Sequence, residues 1–161
     1  MGLSHSRALA CAALVIGLAP AVASAATPSC GEFALVGGEK EVTVIDNPPA
    51  GKSPGDVRAG WRRLNDESGA DVGSVQFVAT LTQPGATGGD VLTGLYAIRF
   101  IDGAILTQTV YQLADSDDTS QKAGSATLIV TGGTGTFSGV AGTIVIEPGT
   151  APRYLFNLHC P

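Results

Sequence analysis

The sequence predicts an all-β fold, an eight-stranded antiparallel up-and-down β-barrel. Apolar and polar residues alternate with a period of two along most of the chain, which is typical of half-buried strands. Turn dipeptides interrupt this alternation at short intervals, and helix start and stop signals are nearly absent. The 22 glycines and the low charged fraction of 14% fit a compact β domain with many turns, since disordered chains are rich in charge.

The first four strands are predicted at residues 41–46, 57–65, 71–82 and 91–101. A long loop over residues 47–55 separates the first two strands, because its prolines lack an amide hydrogen and fix φ. Turn residues at 67–69 and 83–89 end the second and third strands.

The last four strands are predicted at residues 104–114, 123–131, 140–147 and 153–160. Asp102-Gly103 is a strong two-residue hairpin signal between the fourth and fifth strands. The other connections are a polar loop at 115–122, a glycine-rich segment at 132–138 and a turn at Pro148-Gly149. Successive hairpins allow the eight strands to close into a barrel, which removes both exposed edges. An open sandwich is the alternative.

Residues 1–25 read as a cleavable signal peptide, and residues 26–161 as one β-barrel domain. Arg7 precedes an uncharged apolar run of about 15 residues, whereas a membrane-spanning helix needs about 20. Ala23-Ser24-Ala25 then provides a small-residue cleavage site. The alternative is a buried N-terminal helix. Export predicts a secreted or periplasmic protein.

The charge balance argues against nucleic acid as a partner. The whole chain carries 9 basic and 14 acidic side chains, and removing Arg7 leaves 8 against 14, a formal charge of −6. Phosphate binding needs clustered Lys and Arg. The only dense basic group is Arg58, Arg62 and Arg63, which acidic residues flank. No segment after the signal peptide is apolar enough to cross a membrane, so no membrane association is expected after cleavage.

Removal of Cys11 with the signal peptide leaves Cys30 and Cys160, one near each end of the remaining chain. In an oxidising compartment such a pair is expected to form a disulfide. A barrel favours this bond because its first and last strands are neighbours. Two free thiols are the alternative.

Most catalytic signatures are missing from residues 26–161. His159 is the only histidine there, too few for a zinc site of clustered His and Cys, and we expect it on a strand surface. Residues Asp115, Asp117 and Asp118 could attract calcium but lack the pattern of an EF-hand, which favours a solvated loop. We therefore predict no metal and no cofactor.

The glycine-rich run over residues 131–142 is not a phosphate loop, because it lacks a Gly-Lys-Ser/Thr ending and joins two strands. We expect its glycines to supply positive φ for a tight connection. Phe137, in the middle of the run, is expected to plug one end of the barrel.

The pattern G-G-T-G-x-F-x-G-x-x-G in this run resembles the allene oxide cyclase and dirigent barrels, which have an eight-stranded calycin-like fold. Residues 46–56 resemble the loop after their first strand. Residues 64–73 are similar to a hairpin of the group, including the bacterial spirotetronate-forming barrel cyclases. Asp102-Gly103 matches their central hairpin. The resemblance covers roughly residues 40–159.

This resemblance implies a barrel cavity that holds an apolar, flexible small molecule and favours one ring closure by shaping it. Asp46 lies where allene oxide cyclases and dirigent proteins place a functional acidic residue. The alternative for Asp46 is a buried structural carboxylate that accepts hydrogen bonds from backbone amides of the loop. Ala141 stands where dirigent proteins have an arginine and allene oxide cyclases an aromatic residue, a departure from both patterns.

Alternation places further candidates on the inward faces of strands, either lining a pocket or filling a dry core. These faces carry Gly73, Val75, Phe77, Ala79 and Leu81; Leu92, Gly94, Tyr96, Ile98 and Phe100; and Tyr154, Phe156 and Leu158. The pattern of the fifth strand does not show which of its faces points inward. Tyr111 and Gln108 lie on opposite faces, so only one of them can line the interior. Trp61, the only tryptophan, is expected at the barrel mouth or between subunits.

The sequence thus predicts a secreted barrel that binds an apolar small molecule and promotes a cofactor-independent cyclisation or isomerisation. Its catalytic candidates are Asp46, Tyr96 and Tyr111, and its ligand-binding candidates are Trp61, Phe77, Gln108, Phe100 and Phe156. The alternatives are a dirigent-like module that orients or carries a ligand without converting it, and a solid structural domain. A homo-oligomer, dimer or trimer, fits the resemblance.

Overall fold

A computed structural model describes residues 28–85, 89–114 and 124–161 of the chain. They form a closed barrel in which each strand pairs with the next and the last pairs with the first, all antiparallel. The strands are β1 Gly31–Ile45, β2 Val57–Asn65, β3 Asp71–Gln83, β4 Asp90–Phe100, β5 Gly103–Leu113, β6 Ala126–Gly135, β7 Ala141–Glu147 and β8 Arg153–His159. The predicted eight-stranded barrel is therefore confirmed, and the open sandwich is wrong.

β1 begins ten residues before the predicted start of the first strand. Its first half, Gly31 to Val36, pairs with β8, whereas its second half pairs with β2. The register of the β1–β2 pairing shifts between Gly37 and Lys40, where the strand carries a bulge. One long strand can bridge both neighbours in this way, because barrel strands are staggered and tilted.

β6 continues to Gly135, into the segment that the sequence predicted as a connection. Its glycines pair with β5, with Gly135 opposite Gly103, so the tertiary pairing overrides the low strand propensity of glycine. The central hairpin turn consists of Ile101 and Asp102, one residue earlier than predicted, because Phe100 already pairs with Gly103.

The turn after β6 closes one end of the barrel. Gly135 has φ +62°, and a Cβ there would collide with the Asp102 carbonyl oxygen, so only glycine fits. The Phe137 side chain is 1% exposed and packs against Phe100 with ring centroids 5.1 Å apart. The predicted plug at Phe137 is confirmed.

The core behind this plug is packed and largely apolar. Phe156 stacks on Phe33 with ring centroids 4.3 Å apart and also contacts Phe100. The buried members of this cluster include Leu35, Leu64, Val75, Ile98, Ile105, Leu128, Val140, Ile144 and Leu158. Half of the barrel is therefore filled, and any cavity must lie towards the other end.

The predicted disulfide joins Cys30 and Cys160, whose Cα atoms are 6.0 Å apart. The bond continues the seam between β1 and β8, where Gly31 pairs with Leu158. It therefore links the first and last strands of the barrel, and the alternative of two free thiols is wrong.

The loop between β1 and β2 is organised around Asp56, which is 4% exposed. Its carboxylate accepts hydrogen bonds from the amides of Ser53 and Asn47 at 2.8 and 2.9 Å. These amide donors, Ser53 first, lower the pKa of the Asp56 carboxyl. Lys52 of the same loop pairs with fully buried Asp90 at 3.0 Å, which ties the loop to the start of β4.

Two predictions concern residues outside the described ranges, namely the signal peptide at 1–25 and the acidic loop residues Asp115, Asp117 and Asp118. Within the described ranges, no helix has the length and apolarity to cross a membrane. The same residues include no group of three or more His, Cys, Asp and Glu side chains that could hold a metal ion.

Candidate functional site

A cavity of about 700 Å³ lies in the barrel on the side away from the Phe137 plug. Its exposed lining residues place its mouth between the β1 bulge, the β7–β8 loop and the segment before β6; they are Glu39, Lys40, Gly124, Pro148 and Thr150. The inner wall is formed by Val42, Arg58, Arg62, Phe77, Tyr96, Tyr111, Leu113, Ile146 and Tyr154. This volume lies within the range of about 300–1,000 Å³ that is common for small-molecule sites.

All three tyrosines of the chain line this cavity. Tyr96 stacks against Phe77 with ring centroids 5.6 Å apart and meets Tyr111 edge-on at 6.5 Å. Tyr154 reaches the cavity from the start of β8. The cavity wall therefore combines flat aromatic surfaces with hydroxyl groups, a combination that binds apolar molecules and orients their polar atoms.

Gly94 allows the tyrosine rings to come together. A Cβ at this position would lie 2.8 Å from Cε2 of Tyr96 and 3.3 Å from Cε1 of Tyr111. Ala79, which pairs with Gly94 on β3, is equally small and fully buried. The two small residues thus leave the space that the aromatic rings occupy.

Burial keeps the three tyrosine hydroxyls protonated. Desolvation raises the pKa of Tyr96 well above its usual value, with further contributions from the neighbouring Tyr111. Desolvation also raises the pKa of Tyr111, against the opposing charge of Arg58. For Tyr154, desolvation raises the pKa to about 12. These groups are therefore neutral hydrogen-bond donors at physiological pH.

The alkaline titration of the tyrosines should show this protection. In the folded protein, tyrosinate absorbance at 295 nm is expected to stay low at pH 10.5, because all three pKa values are raised. In denaturant the same groups should titrate near pH 10. Above pH 10 the unfolded chain releases protons that the folded chain retains, so the free energy of unfolding should fall as pH rises further.

The control for this titration is circular dichroism at each pH, which reports whether the barrel is still folded. Ionisation of all three tyrosines near pH 10 in a folded barrel would contradict the burial of their hydroxyl groups.

Strand β2 brings two arginines to the cavity wall. Arg58 and Arg62 lie four residues apart and share the inward face with Leu64, which is fully buried. Arg62 donates a hydrogen bond from Nη1 to the Gly38 carbonyl oxygen at 2.9 Å. Arg58 is only 7% exposed, although it carries a full charge.

From the sequence, the two arginines were apparent only as part of a basic group. Strand alternation counted from Leu64 would have placed both of them inside the barrel.

Four of the predicted residues meet at the cavity, namely Phe77, Tyr96, Tyr111 and Tyr154. The structure shows the inward face of β5, which alternates through Ile105, Thr107, Thr109 and Tyr111.

Three predicted ligand-binding residues need correction. Gln108 is exposed on the outer face of β5, because it is an odd number of residues from Tyr111. Phe100 and Phe156 point inward but lie in the packed core behind the plug, where aromatic neighbours surround them.

Trp61 lies on the outer face of β2, and its Nε1 donates to Glu41 at 3.3 Å. It borders a depression of about 460 Å³ on the outer wall instead of the barrel mouth.

Asp46 also lies outside the cavity. Its side chain is exposed, and its carboxylate accepts a hydrogen bond from the Gly51 amide at 3.1 Å. The expected catalytic position for Asp46 is therefore not supported, because the strand ends before this residue and the chain turns outward into the loop. Ala141 is exposed at the start of β7, away from the cavity lining, and His159 is exposed on β8 as predicted.

Comparisons of the sequence with protein-family models and with curated proteins give no match. Solved structures do match. Pyocyanin demethylase is 18% identical, with a TM-score of 0.66 over 80% of this chain and 99% of that chain. A nonspecific heme-binding cyclase of neoabyssomicin biosynthesis, which catalyses a cycloaddition, is 15% identical, with a TM-score of 0.54 over 79% of this chain and 63% of that chain.

The Diels–Alderase AbmU from Streptomyces koyangensis is 17% identical to this chain, with a TM-score of 0.51 over 80% of this chain and 65% of that chain. These likenesses support the part of the predicted resemblance that concerns bacterial barrel cyclases. The allene oxide cyclase and dirigent part stays a prediction. At identities below 20% these likenesses concern the fold alone.

Proposed function

We propose that this protein binds a small, largely apolar molecule inside its barrel and promotes a cofactor-independent cyclisation or isomerisation of it. The observation that carries the proposal is the cavity of about 700 Å³ with an aromatic wall and buried polar groups. A solid structural domain would have no such space. The activities named for barrels of similar fold concern small organic molecules, which supports the same class of ligand.

The proposed catalysis relies on shape and hydrogen bonding. Holding a flexible molecule in a conformation close to the transition state can supply several kcal/mol, because the entropy of orientation is lost on binding. Tyr96 and Tyr111 hydrogen-bond to each other, and their desolvated hydroxyls are neutral donors. Such donors stabilise negative charge that develops on a substrate oxygen. We therefore assign to these tyrosines the catalytic role that was predicted for Asp46.

A second candidate function is binding or orientation of a ligand without conversion. This function is favoured by the scarcity of acid–base groups among the described residues that line the cavity. Among the described lining residues the only carboxylate belongs to Glu39, which is exposed and pairs with Arg63 at 3.4 Å, and no histidine is present. The cavity therefore offers little to a reaction that needs a general base, whereas a ring closure driven by positioning does not require one.

The export and assembly of the protein remain part of the proposal. The disulfide fits an oxidising compartment, either extracellular or periplasmic. The outer wall of β3 to β6 exposes a group of apolar side chains that would suit a homo-oligomer contact. They are Val78, Leu95, Leu106, Val110 and Ile129.

Filling the cavity tests the proposed binding. Val42 lines the cavity from β1, and a Val42→Trp variant is expected to exclude the ligand. Organic extracts of natively purified protein should contain a small molecule that mass spectrometry detects at a level at least about tenfold higher than in extracts of the variant. The control is Thr43→Trp, the adjacent exposed residue, which should retain the molecule.

Incubating fresh protein with the extracted molecule separates the two candidate functions. A change of retention time at constant mass supports isomerisation or cyclisation, and Tyr96→Phe should slow it. An unchanged molecule supports the carrier. Equal extracts from wild type, Val42→Trp and Thr43→Trp, with all three proteins folded, would contradict binding in the cavity.

A further inference from the structure

The cavity contains a buried cation whose donors are incompletely used. Arg58 lines the cavity, and its Nε and Nη1 atoms are buried without a hydrogen-bond acceptor. Buried polar atoms in native proteins nearly always have a hydrogen-bond partner, so a buried polar atom without one requires an explanation. Two such atoms on one guanidinium indicate a missing acceptor.

No carboxylate of the described residues forms an ion pair with this guanidinium. Asp56 accepts hydrogen bonds from the amides of its own loop, and Asp90 pairs with Lys52. Glu39 is directed to Arg63 on the outer wall. Burying an unpaired charge is costly, which implies that retaining Arg58 here serves something other than stability.

The other charges of the cavity wall reinforce this positive site. Arg62 lines the same cavity, so two arginines face it, whereas the single carboxylate among the described lining residues belongs to exposed Glu39, which pairs with Arg63. This contrasts with the whole chain, whose net charge is −5. A low-dielectric cavity of this kind attracts an anion and disfavours a cation.

We propose that Arg58 binds an anionic oxygen of the ligand, so that the substrate class is an apolar molecule bearing one negatively charged oxygen group. This inference rests on the proposed function, since it describes what the same cavity binds. Arginine suits the role because its guanidinium stays charged at all physiological pH values and forms strong charge-assisted hydrogen bonds to oxygen anions. The apolar part of the ligand would lie against Phe77, Tyr96 and Ile146.

Two fluorescent probes that differ chiefly in one charge test the inference. 8-Anilinonaphthalene-1-sulfonate carries an anionic sulfonate, and N-phenyl-1-naphthylamine is its uncharged counterpart. Arg58→Gln is expected to weaken binding of the sulfonate by at least about tenfold and to change binding of the neutral probe by less than about twofold. Arg63→Gln, on the outer face of the same strand, is the matched control and should leave both affinities unchanged.

Arg58→Met supplies a readout that separates binding from structure. If Arg58 serves a ligand, its replacement by an apolar residue should leave the thermal midpoint of the unliganded protein unchanged or raise it, because a buried unpaired charge is removed. A lower midpoint together with loss of both probes would identify Arg58 as a structural residue and overturn the inference.

The remaining outcomes distinguish the inference from the function on which it rests. If both probes bind wild type, and Arg58→Gln affects them equally or not at all, the anion site is overturned while the proposed cavity binding stands. Two outcomes would overturn the proposed function and this inference together. Either neither probe binds the wild type, or both bind equally well to the Val42→Trp variant.

Discussion

Replacing both Cys30 and Cys160 by serine is expected to lower the free energy of unfolding by about 4–5 kcal/mol. The bond joins residues 130 positions apart, and a cross-link over so long a loop removes much of the entropy of the unfolded chain. The effect should be large because the bond closes the seam between β1 and β8, where the barrel has no covalent connection through a hairpin. Urea denaturation followed by Trp61 fluorescence measures the change.

Reduction of the wild type provides the control for this experiment. A reducing agent should lower the wild-type midpoint to that of the double serine variant and should not move the midpoint of the variant. Coincident unfolding curves for the oxidised wild type and the variant would show that the bond contributes nothing to stability.

Replacing Phe137 by alanine is expected to cost about 3–5 kcal/mol of stability, the range for removal of a buried aromatic side chain. Phe137 is 1% exposed, packs on Phe100 and closes one end of the barrel. Neighbouring atoms cannot collapse into the space, because the adjacent turn is fixed by Gly135 and by the pairing of β5 with β6. The same urea titration measures the loss.

Ile101→Ala is the matched control for the plug. Ile101 lies in the hairpin turn at the same end of the barrel but is 94% exposed, so its removal should change stability by less than about 0.5 kcal/mol. Equal losses of stability from the two substitutions would show that Phe137 contributes no more to stability than an exposed side chain does.

The strands were predictable where alternation is regular, and misplaced where glycine interrupts it. The bounds of β2, β3, β4, β5, β7 and β8 fall within one residue of their predicted positions, since turn signals bound them. The start of β1 was missed because two glycines and a bulge lie at its centre. The end of β6 was missed because its last residues are mostly glycine and pair only in the context of β5.

The candidate site was predictable only in part. Tyr96 and Phe77 follow from alternation within their strands, and both line the cavity. Asp46 came from a family position, yet its strand ends one residue earlier and the side chain faces solvent. Arg58 was considered only as part of a basic group, and its place in the cavity was not predicted, because arginine is rarely buried.

The sequence by itself determined the barrel, the disulfide between its first and last strands and the plug at Phe137, because strand period, turn chemistry and cysteine position are local properties of the chain. Only the tertiary structure decided which half of the barrel is filled and which half is open. That division depends on side-chain volumes from strands far apart in sequence, with large rings around Phe156 at one end and small residues such as Gly94 at the other. The tertiary structure also decided that Arg58 faces the open half of the barrel. The sequence left the chemistry of the cavity unresolved, and the position of Arg58 defines it.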